Sequence, residues 1–392
     1  MKECIIALVD CDSFFVSCEQ AIDKSLQGKP VCVLSNNDAC VIARSREAKE
    51  MGIKMGMPYF MAKKQFPDGI YVSGNHHIYK KYSKRVMAIL RDFSPVVEVY
   101  SIDEAFVELS GLKKLYQTTY LGIAKQIRQK IKDELDINVS IGLSKSKVLA
   151  KLACEIAKSE KRSGVKVVGQ KAVLNLLKKT KVNEIWGIGK NTTLFFNRWG
   201  VLNCYELVQK TDEWLKVKIG KRGVEIKHEL LGECIDRVKT TRKLPKSIQN
   251  TRSFPSSTSD LNYIKNALNI HIHTSCTKLR HLKGKCNTVC IMLKNKDFQT
   301  FWDKKKLENS TNFELEITKE IMKMLDKLYD KNTIYRSCGV TLEDIDYSAE
   351  SQLMLFNDNS KKDYEKLATA IDNIEKKFGK NKVKTGFFKE DW

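Results

Sequence analysis

At 392 residues the chain is too long for one hydrophobic core and calls for two to four domains. Its 42% hydrophobic and 30% charged residues exclude a disordered chain, and 69 Lys and Arg against 47 Asp and Glu leave a formal charge of +22 that asks for a polyanionic partner. No apolar run nears the roughly 20 residues of a membrane span and no signal peptide opens the sequence, so nucleic acid is favoured over a membrane surface and a cytoplasmic setting is expected.

In chain order, Ile5–Asp10 and Val31–Leu34 predict strands and Arg44–Met51 a short helix. His77–Phe93 is helical by the spacing of Tyr79, Tyr82, Val86, Ile89 and Leu90. Strands follow at Val96–Ile102 and Ala105–Leu109, a helix at Leu121–Leu135, a strand at Asn138–Leu143, a Lys-rich helix at Lys145–Lys158 and a strand at Val165–Val168. With Cys11–Asn75 set aside as an insertion, the order is β-α-β-β-α-β, a ferredoxin-like α+β arrangement. It places the first strand beside the hairpin of the second and third at the centre of the sheet. The end of strand one can then meet the Ser101–Ala105 turn.

Val182–Asn203 reads as helix, Gly-Ile-Gly, helix, within a small helical module over 170–240. Arg237–Ser247 is a charged linker. Ile248–Ile345 forms a further α+β domain, with strands at Thr288–Leu293 and Cys338–Leu342 and helices at Leu261–Leu282 and Phe313–Tyr329. The remainder is a polar tail ending in a Lys-rich amphipathic helix.

The 12 cysteines suggest packed thiols, since nothing marks the chain as secreted. His271, His273, Cys276, Cys286 and Cys290 have spacings that fit no familiar zinc module well, and incidental cysteines are the expected reading. Three acids are better placed for chemistry. Asp10 closes the first strand, and Asp103 and Glu104 occupy the turn after Tyr100. Converging carboxylates repel one another without a cation, and Mg²⁺ takes such hard oxygen ligands. Two ions about 3.5–4 Å apart can activate a hydroxyl and stabilise a leaving pyrophosphate. A surface hairpin bearing acids by chance is the competing account.

Val9-Asp10-Cys11-Asp12-Ser13-Phe14-Phe15, Gly28-Lys29-Pro30-Val31, Ser35-Asn36-Asn37-Asp38, Ala43-Arg44-Ser45-Arg46-Glu47-Ala48-Lys49 and Ser101-Ile102-Asp103-Glu104-Ala105-Phe106 together resemble Y-family DNA polymerases. Order and spacing match over residues 4–345, and Leu34–Gly56 is closer to the UmuC branch than to the DinB branch. The resemblance implies a palm at 1–10 and 76–169, fingers at 11–75, a helix–hairpin–helix thumb at 170–240, a little finger at 241–345 and a tail at 346–392. It implies an error-prone translesion polymerase of the SOS response, adding dNTPs to a primer 3′ end by two-Mg²⁺ catalysis. Asp10, Asp103, Glu104 and the Cys11 backbone carbonyl would be the metal ligands, and Asp12 would support the turn. Phe15 resembles the steric gate against a 2′-hydroxyl, with a core aromatic as its plainer reading. Arg46, Lys49 and Lys158 match triphosphate contacts, and most of the other lysines nearby form a solvated face.

Gly187 and Gly189 would bring backbone N–H groups to a DNA phosphate, although a plain helix turn also explains them. Lys246, Arg252, Lys278, Arg280 and Lys294 are candidate contacts to the DNA backbone. Gln352-Leu353-Met354-Leu355-Phe356 resembles the peptide that binds the bacterial sliding clamp; a short helix tucked onto the little finger is the alternative. Beyond Phe356 the sequence departs from the UmuC pattern of a longer Arg- and aromatic-rich region. That leaves contacts with a processed UmuD dimer and a RecA filament without their usual segment. The competing function is a catalytically inactive DNA- and clamp-binding accessory. The intact acids, Phe15, Arg46 and Lys49 weigh against it.

Overall fold

The protein is described by a computed structural model over residues 4–160, 164–241, 243–348 and 359–379. It forms two compact units, Met1–Arg242 and Lys243–Trp392.

The first unit opens with β1 (Ile6–Cys11), all six residues buried, followed by α1 (Phe14–Ile22). The inserted segment contains β2 (Val31–Leu34), β3 (Val41–Arg44), α2 (Arg46–Glu50), α3 (Tyr59–Gln65) and β4 (Ile70–Ser73), a three-stranded sheet in the order β3-β2-β4 with its own small core. Sequence periodicity predicted only β2 and α2 here, because four-residue strands and a seven-residue helix carry too few positions to display a period. Next come α4 (His76–Phe93), β5 (Val97–Val99), β6 (Glu104–Glu108), α5 (Lys113–Tyr116), α6 (Tyr120–Leu135), β7 (Val139–Ser144), α7 (Lys147–Ser159) and β8 (Val165–Val167).

The main sheet runs β5-β6-β1-β7-β8. Leaving β8 aside, this is the ferredoxin-like order expected from the sequence, with β1 antiparallel to both neighbours. The hairpin is not wholly central, as β5 lies at the edge and only β6 touches β1. Period-2 alternation sorts the side chains of β1. Ala7, Val9 and Cys11 join the core built with α4 and α6, whereas Ile6 and Leu8 pack on the opposite face with Phe106, Ala150 and Cys154. Asp10 and Glu104 fall in register on that second face, the face that α7 covers. Gly142 lets α7 lie this close. A Cβ there would stand 2.1 Å from the Cys154 backbone nitrogen and 2.2 Å from the Ala150 carbonyl oxygen.

The helical segment follows with α8 (Gln170–Lys179), α9 (Lys190–Arg198), α10 (Cys204–Val208), α11 (Asp212–Ile219) and α12 (Lys221–Leu230). The helix expected ahead of Gly-Ile-Gly is only a 3₁₀ turn at Val182–Glu184. Gly187 has φ +96°, a left-handed conformation that favours glycine, and Gly189 caps α9.

The second unit holds β9 (Ile248–Thr258), α13 (Leu261–His281), β10 (Lys285–Asn295), β11 (Thr300–Thr311), α14 (Glu314–Leu328), β12 (Tyr335–Asp346) and α15 (Asn359–Phe378). Its sheet runs β11-β10-β12-β9, antiparallel throughout, with α13 and α14 packed on it. Edge strands β9 and β11 escaped the sequence reading because most of their side chains are polar and exposed.

Polar contacts join α15 to α13 and α14. Arg280 grips Asp372 with two hydrogen bonds, of 2.8 and 2.7 Å, and His273 lies between Glu314 at 3.0 Å and Glu375 at 3.2 Å. The hydrogen bond to Glu314 raises the His273 imidazole above its ordinary value. Burial opposes this, and the charges of both glutamates add to it. A raised histidine contributes stability that is complete below its unfolded value near 6.5 and is lost as pH rises through the folded value. Amide exchange in α15 should therefore be faster at about pH 8.5 than at pH 6 after correction for intrinsic rates. His273→Gln should flatten that difference; an unchanged pH dependence would remove His273 from the account.

Candidate active site

Antiparallel register sets Asp10 directly opposite Glu104, and their carboxyls hydrogen-bond. Asp10 is only 6% exposed. Burial, with the neighbouring Glu104, pushes its carboxyl up to about 7 against the pull of Lys158. Burial also pushes Glu104 up, but hydrogen bonds from Asp10 and Lys151 outweigh it, so its net shift is downward. Asp103 sits in the same turn, where its backbone oxygen accepts from the Cys11 N–H at 3.0 Å and its carboxylate accepts from the Ser101 hydroxyl.

Two cations from α7 close on this pair. Lys158 Nζ lies 2.9 Å from Asp10, and Lys151 Nζ lies 2.9 and 3.1 Å from the two oxygens of Glu104. Asp12 accepts from the Ser140 hydroxyl at 2.7 Å while its N–H bonds Asn138, which ties the end of β1 to β7. Among the described residues no three of His, Cys, Asp and Glu converge in metal-holding positions. Asp10 and Glu104 meet, and Asp103 is engaged by Ser101. The donors are nevertheless hard oxygens, one of them on a buried carboxyl whose proton affinity is raised by burial. Such a set fits Mg²⁺ rather than a soft metal. The His271–Cys290 group makes other contacts, with His273 between glutamates and Cys286 Sγ 3.3 Å from the Thr311 carbonyl.

Phe15 stacks on Tyr79, with ring centroids 4.5 Å apart and planes 18° from parallel, and meets His76 edge-on at 5.7 Å. Tyr79 is pinned in turn by its hydroxyl, 2.5 Å from Glu19. Lys49 Nζ donates to Ser13 Oγ at 2.9 Å, and Ser13 itself holds a left-handed φ of +47° at the cap of α1. Arg46 is exposed and pairs with Glu50 at 2.8 Å.

Lys147 and Lys151 are exceptions to the solvated face expected of most of the remaining lysines. Lys147 is fully buried, 2.7 Å from Glu98 and 3.1 Å from Asp236. Beside it Glu229, also fully buried, accepts from the N–H groups of Val148 and Asp236. Lys147, Lys151 and Lys158, four and seven residues apart, share one helix face, a spacing visible in the sequence.

In the second unit Arg252 and Lys294 line a depression of about 330 Å³ on the sheet, together with Arg336 and Phe298. Arg336, which the sequence reading missed, lies 4.1 Å over the Phe298 ring. Lys278 is exposed on α13, and Lys246 lies just ahead of β9. Arg280 is corrected from a DNA contact to a structural residue, because Asp372 occupies its guanidinium. Gln352, Leu353, Leu355 and Phe356 lie outside the described residues. No described helix is long and apolar enough to cross a membrane.

The sequence profile of the impB/mucB/samB family matches residues 9–155, and that of the family's C-terminal domain matches 245–355. The chain is 31% identical to Protein UmuC of Salmonella typhimurium over 388 residues, covering 96% of this chain and 92% of that protein. It is 32% identical to a DNA polymerase IV of Dehalococcoides mccartyi over 381 residues, covering 96% of each. A solved Y-family chimera of Dbh and Dpo4 superposes with a TM-score of 0.71 at 24% identity, covering 87% of this chain and 99% of that one. An insertion ternary complex of Dbh DNA polymerase gives 0.59 at 25%, with the same coverage. Both the fold and the sequence are thus shared along most of the chain, and the chain belongs to the impB/mucB/samB family of Y-family DNA-directed DNA polymerases.

Proposed function

We propose that the chain extends a primer 3′ end with deoxynucleotides opposite damaged template, as an error-prone translesion polymerase of the bacterial SOS response working in the cytoplasm. The observation that carries this reading is the Asp10–Glu104 pair, with Asp10 buried, Glu104 directly opposite it in the strand register, and Lys158 and Lys151 facing them. Asp10, Asp103, Glu104 and the Cys11 carbonyl would hold two Mg²⁺ ions. When bound, the ions supply the positive charge that lowers the hydroxyl pKa and stabilises the leaving pyrophosphate.

The chain's own part is placement. Lys158, Lys49 and Arg46 offer cations to a triphosphate, while Phe15, propped by Tyr79, presents a flat ring to the sugar. On this reading the palm is 1–10 with 76–169, the fingers 11–75, the thumb 170–240, the little finger 241–345 and the tail 346–392. Gly187 and Gly189 would meet the primer–template backbone, as would Lys246, Arg252, Lys278, Lys294 and Arg336. The Gln352–Phe356 segment would bind the sliding clamp, and a processed UmuD dimer and RecA filament would be further partners.

Primer extension by the purified chain on intact and abasic templates tests this, with and without Mg²⁺, clamp, UmuD′ and RecA filament. Extension lost in Asp103→Ala is the expected result; intact DNA binding with no extension under any condition would refute it. Phe15→Ala should lower discrimination against ribonucleotides by about 100-fold, read as the ratio of kcat/KM for dNTP and rNTP. A ratio unchanged within about twofold would make Phe15 a core aromatic only.

A further inference from the structure

The loop that leads into α9 reaches the acidic turn through one side chain. Trp186 immediately precedes Gly187-Ile188-Gly189, and its indole N–H donates to the Tyr100 hydroxyl at 2.9 Å. The two rings meet edge to face at 5.3 Å, and Phe106 tilts against Trp186 at 5.7 Å. Lys151 Nζ lies 5.7 Å from the indole centroid and 4.8 Å from the Tyr100 ring, and it also binds both oxygens of Glu104. Arg222 of α12 stands 5.3 Å from the same indole. Tyr100 lies at the base of the acidic turn, where its N–H bonds the Glu104 carbonyl at 3.1 Å. Two independent routes therefore link the indole to Glu104, one through the Lys151 ammonium and one through the Tyr100 backbone.

We propose that Trp186 is a positioning residue of the polymerase reaction, fixing Glu104 relative to the Gly187–Gly189 loop through Lys151 and Tyr100. The inference rests on the reading of Glu104 as a catalytic carboxylate and of the loop as a DNA contact. DNA gripped by the loop and the carboxylate at the turn then share one frame. A misplacement near 1 Å at a reacting centre costs about 100-fold in rate. A cation held against an indole and a ring-to-ring hydrogen bond resist such drift.

The test is steady-state extension with the full chain, together with DNA affinity by fluorescence anisotropy and melting temperature. Trp186→Leu should lower kcat by about 10-fold or more while KM for dNTP and Kd for primer–template stay within about threefold. Trp186→Phe keeps a ring but loses the N–H and should lose less, which guards against a folding failure in Trp186→Leu. Combined with Lys151→Met, the loss should fall short of the product of the single losses, since both act on one carboxylate. A kcat within about twofold of wild type in Trp186→Leu would overturn the proposal. So would a loss confined to DNA affinity, which would make Trp186 a DNA contact instead. Glu104→Gln run in parallel separates the readings, because full activity in that variant would overturn the catalytic assignment itself.

Discussion

Glu104→Gln and Asp10→Asn should each lower primer extension by roughly 10³-fold, with DNA affinity retained and, for Asp10→Asn, a melting temperature above wild type at about pH 8. The two effects share a cause. Asp10 is buried beside Glu104, and its carboxyl sits at about 7 despite the pull of Lys158, well above the ordinary 3.8. Below about pH 4 both folded and unfolded chains keep the proton. As pH rises from there towards 7, the unfolded chain releases it while the folded chain holds it, so stability falls across that window and is lost once pH passes the folded value. Asparagine cannot ionise and escapes the loss. Melting curves in chelator from pH 5 to 8.5 check this. If wild type and Asp10→Asn run parallel over the whole range, burial of Asp10 is not the source of the instability. If Asp10→Asn extends primers at the wild-type rate, the acids are not the catalytic centre.

Much of the site was legible because the sheet has period 2. Asp10 at the end of a strand and Glu104 at the start of another could be matched from topology alone, and the register pairs them. Lys158 was found by resemblance, and its spacing to Lys147 and Lys151 marks a common helix face. What hid those two was the usual expectation that Lys is solvated; burial of Lys147 depends on Glu98 and Asp236, residues distant in sequence. Trp186 carried no signal beyond its place beside a glycine pair, since its partners arrive from β6, α7 and α12. The edge strands β9 and β11 were missed because their sheet position, rather than their composition, makes them strands. Arg280 read as a DNA contact only because Asp372, far along the chain, was not in view.

Lys147→Ala should destabilise the first unit by about 3 kcal/mol, the low end for breaking a buried ion pair. The low end applies because the Glu98 and Asp236 side chains keep 23% and 25% of their exposure and recover some water. Lys147 itself is 1% exposed and also lies 5.3 Å from the Phe106 ring centroid, so alanine leaves a cavity as well as Glu98 without its cation, while Asp236 keeps Lys239. For a unit of this size the change should lower the melting temperature by about 6–12 °C. Lys147→Met restores much of the stem volume but not the charge, so it should recover only part of the loss. Adding Glu98→Gln and Asp236→Asn to Lys147→Met should recover more, because no half-buried carboxylate then faces the missing ammonium and Lys239, half exposed, is solvated. A melting temperature within about 2 °C of wild type in Lys147→Ala would mean that water already satisfies the two acids. The triad is a costly way to gain stability alone, since apolar residues could fill the same space. Its geometry suits a different purpose: one ammonium fixes β5 of the sheet to the segment after α12, four residues along α7 from the lysine that holds Glu104. The triple variant should therefore melt near wild type yet retain a lower kcat, separating the stability of the seam from its alignment.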